Sequence, residues 1–541
     1  MQAATLVLRN ARIHTFGASA QADSLAMRDG ALLAVGSEAD VWAAVGSDAP
    51  SVDLEGRVVL PGLTDAHVHW GGFALARRQL RIEHGDGLAD VQRAVRQRAA
   101  DGDGREAWIL GRGWDHEPWG RWPNAADLDL VAPQHPVVLT RKDGHVMWLN
   151  GRALALCGID EHTADPPGGH IERDPLGRPT GILKETAKQL AVAAIPATTS
   201  AELQAAMIDA WPAAWCRGIT GLHDMGLGRR SLFRDLATLR EAGALGARFV
   251  WYLQEDELEE ALGLGLRSGM GDHWLRIGGL KLFLDGTLGS QTADMLAPYE
   301  GQPDNRGLPT MDGERFNDLV ARATDAGLAT AVHAIGDRAN RRALDGFAAV
   351  AGRAATSGLR QRIEHAQLLA PQDIHRFAEL GVAASMQPIH ATADMAMADR
   401  YWGARAAGAY AWRALRDAGA LMAFGSDAPI ESLDVFAGVH AAVTRQDDKG
   451  RPAGGWRSEQ CIGVRHALAA YTIGAACAAG VESDLGSLEL GKRADLIVLD
   501  RDPLEVLPEE IPKVQVLGTM IEGVWVWQAS GAQLGGPRQA P

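Results

Sequence analysis

Residues 58–70 end an apolar run with two histidines, His67 and His69, that stand two positions apart. On a β-strand, side chains at positions i and i+2 point to the same face. Because neutral imidazole is a common metal ligand, the pair could present two nitrogens to one metal ion at a strand's end. The chain holds 17 histidines, so such a spacing also arises by chance. The metal hypothesis therefore needs further ligands elsewhere in the chain.

Three further candidates each stand at the end of a later strand-like run. These are His333 after the apolar run 329–332, His365 after the segment 362–364, and Asp427 after the run 420–426. They add two imidazoles and one carboxylate to the possible ligand set.

A lysine inside an apolar run is the fourth signal. Lys281 lies within the strand-like segment 277–284. A lysine in a protein core costs several kcal/mol unless it is neutralised or paired. The structural alternative to a chemical role is an ordinary ion pair with Asp285 or Glu364.

Taken together, these residues resemble the amidohydrolase superfamily of metal-dependent hydrolases, and most closely its amidohydrolase family 3 branch, which includes N-substituted formamide deformylases. The residues that carry the resemblance occur in the expected order: His67, His69, Lys281, His333, His365 and Asp427. The resemblance covers nearly the whole chain. It implies an α/β fold, a (β/α)8 TIM barrel with its metal site at the C-terminal ends of the strands.

The resemblance also implies a role for each of these residues. His67 and His69 would hold the more buried of two divalent ions, and His333 and His365 the more exposed one. Lys281 cannot bind metal as an ammonium, but as an N6-carboxylated lysine it would bridge both ions, with a hydroxide between them. Asp427 would bind the buried ion and act as the catalytic proton carrier. Zinc is the expected metal for such nitrogen-rich ligands, with manganese, iron and cobalt as alternatives.

Length and composition limit the remaining possibilities. A chain of 541 residues with 46% hydrophobic residues suits a large barrel with a smaller companion. A net charge of -15 argues against nucleic-acid partners. The four cysteines form no CxxC pair, and no apolar window is long enough for a membrane span. We therefore expect a cytoplasmic enzyme with a small-molecule substrate and no membrane partner, and we leave a homodimer open.

The chain order predicts a barrel flanked by strands from both termini. The eight barrel strands are expected at 63–69, 218–224, 248–253, 276–284, 329–333, 362–365, 382–386 and 421–425. Residues 1–62 and 483–530 are expected to form one composite β-sandwich, with a hairpin at Asp29-Gly30 and a strand, turn and strand over 488–500. The barrel would occupy residues 63–482, followed by a flexible tail at 531–541.

About 150 residues separate the first two barrel strands, whereas such loops are usually short. We expect an inserted subdomain at about 75–210, with a strand at 136–141. Its tryptophans, including Trp114, would either line an apolar substrate pocket or form the core of the insert.

Weaker candidates for substrate binding come from position alone. They are His145 in the insert, His223 at the end of the second strand, Asp285 after the lysine strand, His390 after the seventh strand, and Trp114. For each of them an ordinary structural role is an equal alternative.

The function that this pattern favours is metal-dependent hydrolysis of a carbon–nitrogen bond other than a peptide bond, in an amide, a formamide or an N-acyl compound. One alternative is an aromatic or nucleobase-type deaminase that uses one metal, which would not need Lys281. Hydrolysis of a lactone, an ester or a phosphotriester would use a similar site. The third alternative, a non-catalytic binding protein, gives no physical reason for so many converging ligands.

Overall fold

Eight parallel strands form the sheet that carries the candidate residues. In chain order they are β1 (Leu63–Val68), β2 (Ile219–Asp224), β3 (Arg248–Leu253), β4 (Leu275–Phe283), β5 (Ala329–Ala334), β6 (Arg362–His365), β7 (Ala383–Met386) and β8 (Met422–Phe424). The structure is a computed structural model, and it describes residues 5–18, 21–82, 86–101, 107–116, 119–141, 146–226 and 232–536. Each barrel strand lies within one residue of its predicted bounds.

The strands follow one another around the barrel in chain order, each parallel to the next. Two backbone hydrogen bonds connect the ends of β8 and β1: the Asp427 N–H donates to the His67 carbonyl at 2.7 Å, and the His69 N–H to the Ala428 carbonyl at 2.9 Å. Most barrel strands are buried along their whole length, as expected of parallel strands covered on both faces. The fold is therefore the predicted TIM barrel.

The helices start and stop at residues suited to those positions. The Asp312 side chain accepts the Arg315 N–H at the start of one helix, and the Asp434 side chain accepts the Ala437 N–H at the start of another. The α-helices are Glu38–Val45, Trp70–Arg78, Leu88–Asp101, Ala125–Asp129, Gly151–Leu156, Lys188–Ala194, Ser200–Trp215, Leu232–Glu241, Leu258–Gly263, Gly313–Asp325, Asp337–Thr356, Ile374–Leu380, Pro388–Trp402, Trp412–Asp417, Val435–Thr444, Val464–Ala470 and Ile473–Ala479. In the described ranges, none of them has both the length and the apolar run needed to cross a bilayer.

Strands from both termini build a β-sandwich. One sheet holds Leu6–Arg9, Ser24–Arg28, Ala31–Gly36 and Ser51–Asp53; the other holds Arg12–His14, Gln21–Ala22, Val58–Pro61, Leu496–Leu499, Val516–Ile521 and Val524–Gln528. Val58–Pro61 pairs antiparallel with Leu496–Leu499, which joins the two ends of the chain in one sheet. Leu8 and Leu25 of the first sheet pack in one buried cluster with Leu496 and Trp525 of the second.

The hairpin predicted in the sandwich is present, whereas the strand predicted before Leu496 is absent. Asp29 and Gly30, with φ angles of 52° and 77°, form the hairpin turn between adjacent strands. The segment before Leu496 forms no strand. There the Ser487 hydroxyl donates to Glu489 and the Lys492 ammonium donates to Ser487, both at 2.6 Å. The main chain of this segment makes isolated pairings with the strand Ala31–Gly36, where the Gly491 N–H donates to the Leu32 carbonyl at 2.8 Å and the Leu32 N–H to the Lys492 carbonyl at 2.9 Å.

The chain divides into two compact units, residues 1–72 with 207–541 and residues 73–206. The second unit contains its own six-stranded sheet of Leu80–Arg81, Ile109–Trp114, Val137–Arg141, Val146–Leu149, Gly169–Arg173 and Pro179–Glu185. Its core includes Trp114 and Trp148, both fully buried.

Candidate metal centre

The six residues that carried the sequence resemblance line one cavity at the C-terminal ends of the barrel strands. They are His67, His69, Lys281, His333, His365 and Asp427, all buried, around a cavity of about 390 Å³. The ring centroids of His67 and His365 are 4.8 Å apart, and those of His333 and His365 are 4.5 Å apart. Residues separated by as many as 360 positions in the chain therefore meet at one point.

The donor atoms of this group are close enough to share a metal ion. One ligand atom each of His67, His365 and Asp427 lies within 4.8 Å of the others. The Asp427 Oδ1 is 3.0 Å from His69 Nε2 and 3.4 Å from His67 Nε2. Four imidazoles and a carboxylate are a donor set that suits zinc and its neighbours among the transition metals.

All four histidines are oriented by a hydrogen bond at Nδ1. The partners of Nδ1 are Glu364 Oε2 for His67 at 2.6 Å, the Gly226 carbonyl for His69 at 2.5 Å, Asp285 Oδ1 for His333 at 3.2 Å, and Gln387 Oε1 for His365 at 2.8 Å. Each partner is an acceptor, so each Nδ1 carries the proton. The lone pair is then on Nε2, as in metal sites whose histidines are fixed by a second layer of residues.

The surroundings of Lys281 are unusual for a buried lysine. Its side chain is 1% exposed, and its Nζ has no hydrogen-bond partner among the described residues. The ion pairs with Asp285 or Glu364 considered from the sequence are not formed within 4.0 Å in that part of the chain. Burial lowers the pKa of Lys281 to about 8. The lowered pKa raises the fraction of neutral amine at neutral pH, and the residues present fit a bound divalent metal.

Left-handed backbone turns aim two of these side chains into the cavity. His365 and Ala366 have φ angles of 73° and 43°, and Asp427 has 59°. Non-glycine residues adopt this region at a cost that folded proteins accept mainly at functional sites. The buried Asp65 holds the second turn, since its carboxylate accepts the N–H groups of His67 and Ser426.

A buried charge network lies inside the barrel directly beneath the site. Arg362 and Glu364, two apart on β6, both point inward, and the Arg362 guanidinium donates to the Glu364 carboxylate. Burial opposes ionisation of Glu364, but the Arg362 charge and the His67 hydrogen bond hold its pKa well below the usual range. Arg362 also donates to the Ala66 carbonyl and Ser385 Oγ, both at 2.6 Å.

The Asp427 carboxylate interacts with several histidines of the group. Burial opposes its ionisation, but hydrogen bonds with His390 and His69 hold its pKa well below the usual range. His390 Nε2 is 3.2 Å from Asp427 Oδ2. Despite burial, its hydrogen bond to Asp427 raises the pKa of His390 to about 10.

The weaker candidates occupy different places. His390 lines the cavity. Asp285 lies behind His333, where its carboxylate also accepts the N–H groups of Ile335 and Gly336. His223 lies in the barrel interior, where its Nδ1 accepts from Arg362 at 3.0 Å.

Two of the weaker candidates, Trp114 and His145, belong to the second unit. Trp114 is in that unit's core, where its indole N–H donates to the Leu139 carbonyl at 2.8 Å and its ring contacts Trp148. His145 lies outside the described residues.

Sequence reasoning missed several polar residues of the site. Gln367, Asp394 and Glu431 line the cavity, and Gln387 and Glu364 orient histidines. One signal was present: charged residues alternate at positions 362 and 364 in a barrel strand, which places both charges in the interior. The others lie on loops and helices, where spacing gives no such signal.

Known proteins are similar to this chain in sequence. The sequence pattern of the amidohydrolase family matches residues 51–527. Protein LONG AFTER FAR-RED 3 of Arabidopsis thaliana is 35% identical over 538 residues, which is 96% of this chain and 91% of that protein. N-substituted formamide deformylase of Arthrobacter pascens is 30% identical over 554 residues, covering 97% of this chain and 99% of the relative.

A solved structure shows the same fold. The crystal structure of an uncharacterized metal-dependent hydrolase from Pyrococcus horikoshii OT3 matches with a TM-score of 0.79 at 30% identity, over 93% of this chain and 99% of the other. The family pattern spans the barrel strands together with strands from both termini. The chain belongs to the amidohydrolase family and is a metal-dependent hydrolase.

Proposed function

We propose that this enzyme hydrolyses a carbon–nitrogen bond other than a peptide bond, in a formamide, an amide or another N-acyl compound. The relative from Arthrobacter pascens, an N-substituted formamide deformylase aligned over nearly the full length of both chains, supports this choice. The observation that carries the proposal is Lys281, a fully buried amine without a hydrogen-bond partner among the described residues, beside four similarly oriented histidines. A one-metal deaminase has no need of such a lysine.

In this proposal the six residues hold two divalent ions, with zinc as the expected metal. His67 and His69 would hold one ion through Nε2, and His333 and His365 would hold the other. The neutral Lys281 amine would form an N–C bond to CO2 with loss of a proton, and the resulting carbamate would supply anionic oxygen ligands to the metal. When bound, the ions supply Lewis-acid polarisation of the substrate carbonyl and lower the pKa of water.

Asp427 has one oxygen for each of two tasks. Its Oδ1 faces His67 and His69, which supports a metal-binding role for this oxygen. Its Oδ2 faces His390 and is the atom that accepts a proton from the attacking water. As the carbon–oxygen bond forms and the carbon–nitrogen bond breaks, Asp427 passes that proton to the departing nitrogen.

The test of this function is replacement of the lysine. Lys281→Ala removes the bridging group, so we expect bound metal to fall from about two ions per chain and amide hydrolysis to fall to near background. Elemental analysis and turnover of N-substituted formamides measure the two effects, and added short carboxylic acids should restore part of the rate.

Lys449→Ala, at an exposed lysine, is the matched control and should retain both metal and activity. A Lys281→Ala enzyme with normal metal content and turnover would contradict the proposal. So would a wild-type enzyme that is fully active with a single tightly bound ion.

A further inference from the structure

The cavity has a second polar region beyond the six candidate metal-binding residues. Its lining includes Gln367, Asp394 and Glu431, which we call the acceptor wall. We infer that the acceptor wall binds a protonated amine on the nitrogen side of the substrate. This inference rests on the proposed amide hydrolysis and specifies the substrate class of the same site.

The charges that line the cavity favour a cation. Asp394 and Glu431 each bring a carboxylate, whereas the cationic side chains of the described lining are Lys281 and His390, and His390 is already engaged by Asp427 at 3.2 Å. A substrate carboxylate would therefore meet like charges at the wall without a guanidinium to pair with. A substrate ammonium would be paired instead.

Gln367 gives an independent indication that a ligand binds here. Its side chain is 4% exposed, and its Oε1 has no hydrogen-bond partner in the described part of the chain. A buried acceptor without a partner costs free energy that a bound N–H donor would recover. The residue follows the left-handed pair His365 and Ala366, which fixes its direction.

Asp394 is held in place by a clamp. The Tyr410 hydroxyl donates to Asp394 Oδ2 at 2.7 Å, and the Tyr410 N–H donates to the Gln367 carbonyl at 2.6 Å. Tyr410 has a φ angle of 52°, and its carbonyl accepts from Arg445 at 2.9 Å. The Arg445 guanidinium is fully buried over the Trp412 ring, 4.6 Å from the ring centroid. The Asp394 carboxylate and the main chain of Gln367 are thus held before any ligand arrives, which lowers the entropic cost of binding.

Glu431 keeps its capacity to accept hydrogen bonds from a ligand. Its Oε1 is 3.7 Å from His390 Nδ1, which is longer than a hydrogen bond. The Glu431 side chain is 25% exposed. An ammonium has three N–H donors, and the wall offers an acceptor on each of its three residues.

Three formamides of similar length test the inference with the metal-loaded enzyme. N-(aminopropyl)formamide carries a cation, N-butylformamide is neutral and N-formyl-beta-alanine carries an anion. We expect kcat/KM to be about tenfold higher for the cation than for the neutral compound, since one charged hydrogen bond has about that effect. The anion should be the poorest substrate.

Replacement of Glu431 tests whether the preference for a cationic substrate depends on the acceptor wall. Glu431→Gln should lower the ratio of kcat/KM for the cation to that for the neutral compound by about tenfold. Glu255→Gln, at a surface glutamate paired with Arg315, should leave the ratio unchanged. Equal rates for the cation and the neutral compound, or a preference for the anion, would overturn the inference while the proposed function stands.

Calorimetry separates the two proposals. If none of the three formamides is hydrolysed, formamide hydrolysis is excluded as the proposed function, but binding of the same compounds to the metal-loaded enzyme still decides the inference. Tighter binding of the cation that is lost in Glu431→Gln supports the acceptor wall. Binding that is indifferent to the charge of the ligand contradicts it.

Discussion

Each of the four histidines of the site carries a proton on Nδ1, because this nitrogen donates to an acceptor behind the ring. The tautomer of a free histidine is not fixed, and a second hydrogen bond selects it. At His67 the acceptor is Glu364, which is itself held by Arg362. Burial lowers the pKa of His67 to about 4, so the ring is neutral at physiological pH and its Nε2 is available for a metal ion.

Glu364→Gln tests this orienting role. We expect metal affinity to fall by roughly 10- to 100-fold, because an amide accepts the His67 proton more weakly and can instead donate. Competition with a chelator measures the affinity. Circular dichroism checks that the variant is folded, since Arg362 loses its buried ionic partner. The surface variant Glu255→Gln is the control, and unchanged metal affinity in Glu364→Gln would show that Glu364 serves only the barrel core.

Asp427→Asn separates the proton carrier from the ligand. The variant keeps one oxygen and the size of the side chain but loses the base, so kcat should fall by roughly 10²–10⁴-fold with metal largely retained. Steady-state kinetics and elemental analysis provide the two measurements, and Asp448→Asn at an exposed position is the control. If the variant lost only its metal, and added metal restored the full rate, Asp427 would be a ligand and His390 the next proton carrier to test.

At the scale of secondary-structure elements, the ends of the barrel strands position the side chains of the site. β6 ends at His365, and Asp427 follows β8; both residues have a left-handed backbone conformation. The chain turns at these points, so that both side chains enter the cavity. Gly425, just after β8, allows this close approach. A Cβ at that position would lie 2.4 Å from the His67 nitrogen and 2.7 Å from Asp65 Oδ1.

Gly425→Ala should therefore separate the ends of β1 and β8. We expect a loss of stability of about 1–3 kcal/mol, as for other overpacked sites, together with weaker metal binding. Thermal unfolding of the apo and metal-loaded forms measures both. Gly352→Ala, in the helix Asp337–Thr356 with open space around the added methyl group, should be neutral or stabilising. Normal metal binding by Gly425→Ala would show that the site tolerates movement of these strand ends.

At the scale of the whole molecule, the sandwich and the barrel within the first unit share a buried ion pair. Arg248, the first residue of β3, donates to Asp495 from Nε at 2.5 Å and from Nη2 at 2.8 Å. Asp495 precedes Leu496–Leu499 and also accepts the Glu522 N–H. The pair connects the barrel to the strands contributed by the C-terminal part of the chain.

Removing one partner of this pair should destabilise the protein without altering its chemistry. Asp495→Asn removes the closer ionic partner of the buried Arg248 and leaves only Glu522, 3.7 Å from Nη1, so we expect a loss of about 3 kcal/mol, the low end for a broken buried pair. Thermal unfolding measures it, and kcat of the folded enzyme at low temperature should be unchanged. The double variant Arg248→Met with Asp495→Leu should recover part of the stability. A Tm equal to that of the wild type in Asp495→Asn would refute the connecting role.

The sequence by itself determined the barrel and the order of the candidate residues. All eight strands lie within one residue of their predicted bounds, because a short apolar run with a polar residue at its end is a local pattern. The six residues of the resemblance meet at one cavity because parallel strands bring their C-terminal ends to one face. The strand expected before Leu496 is absent, and the segment there makes isolated main-chain hydrogen bonds to the strand Ala31–Gly36, which the sequence pattern did not indicate.

Only the tertiary structure decided which atoms face the cavity. His67 meets Glu364 across 297 positions of the chain, and that contact selects its tautomer. Asp285 and His223, placed near the site by the sequence, lie behind it because each is engaged by a neighbouring strand. Among the described residues Lys281 Nζ has no hydrogen-bond partner, and this feature, like the acceptor wall, depends on how distant elements pack around the cavity. Spacing along one strand carries no information about such contacts.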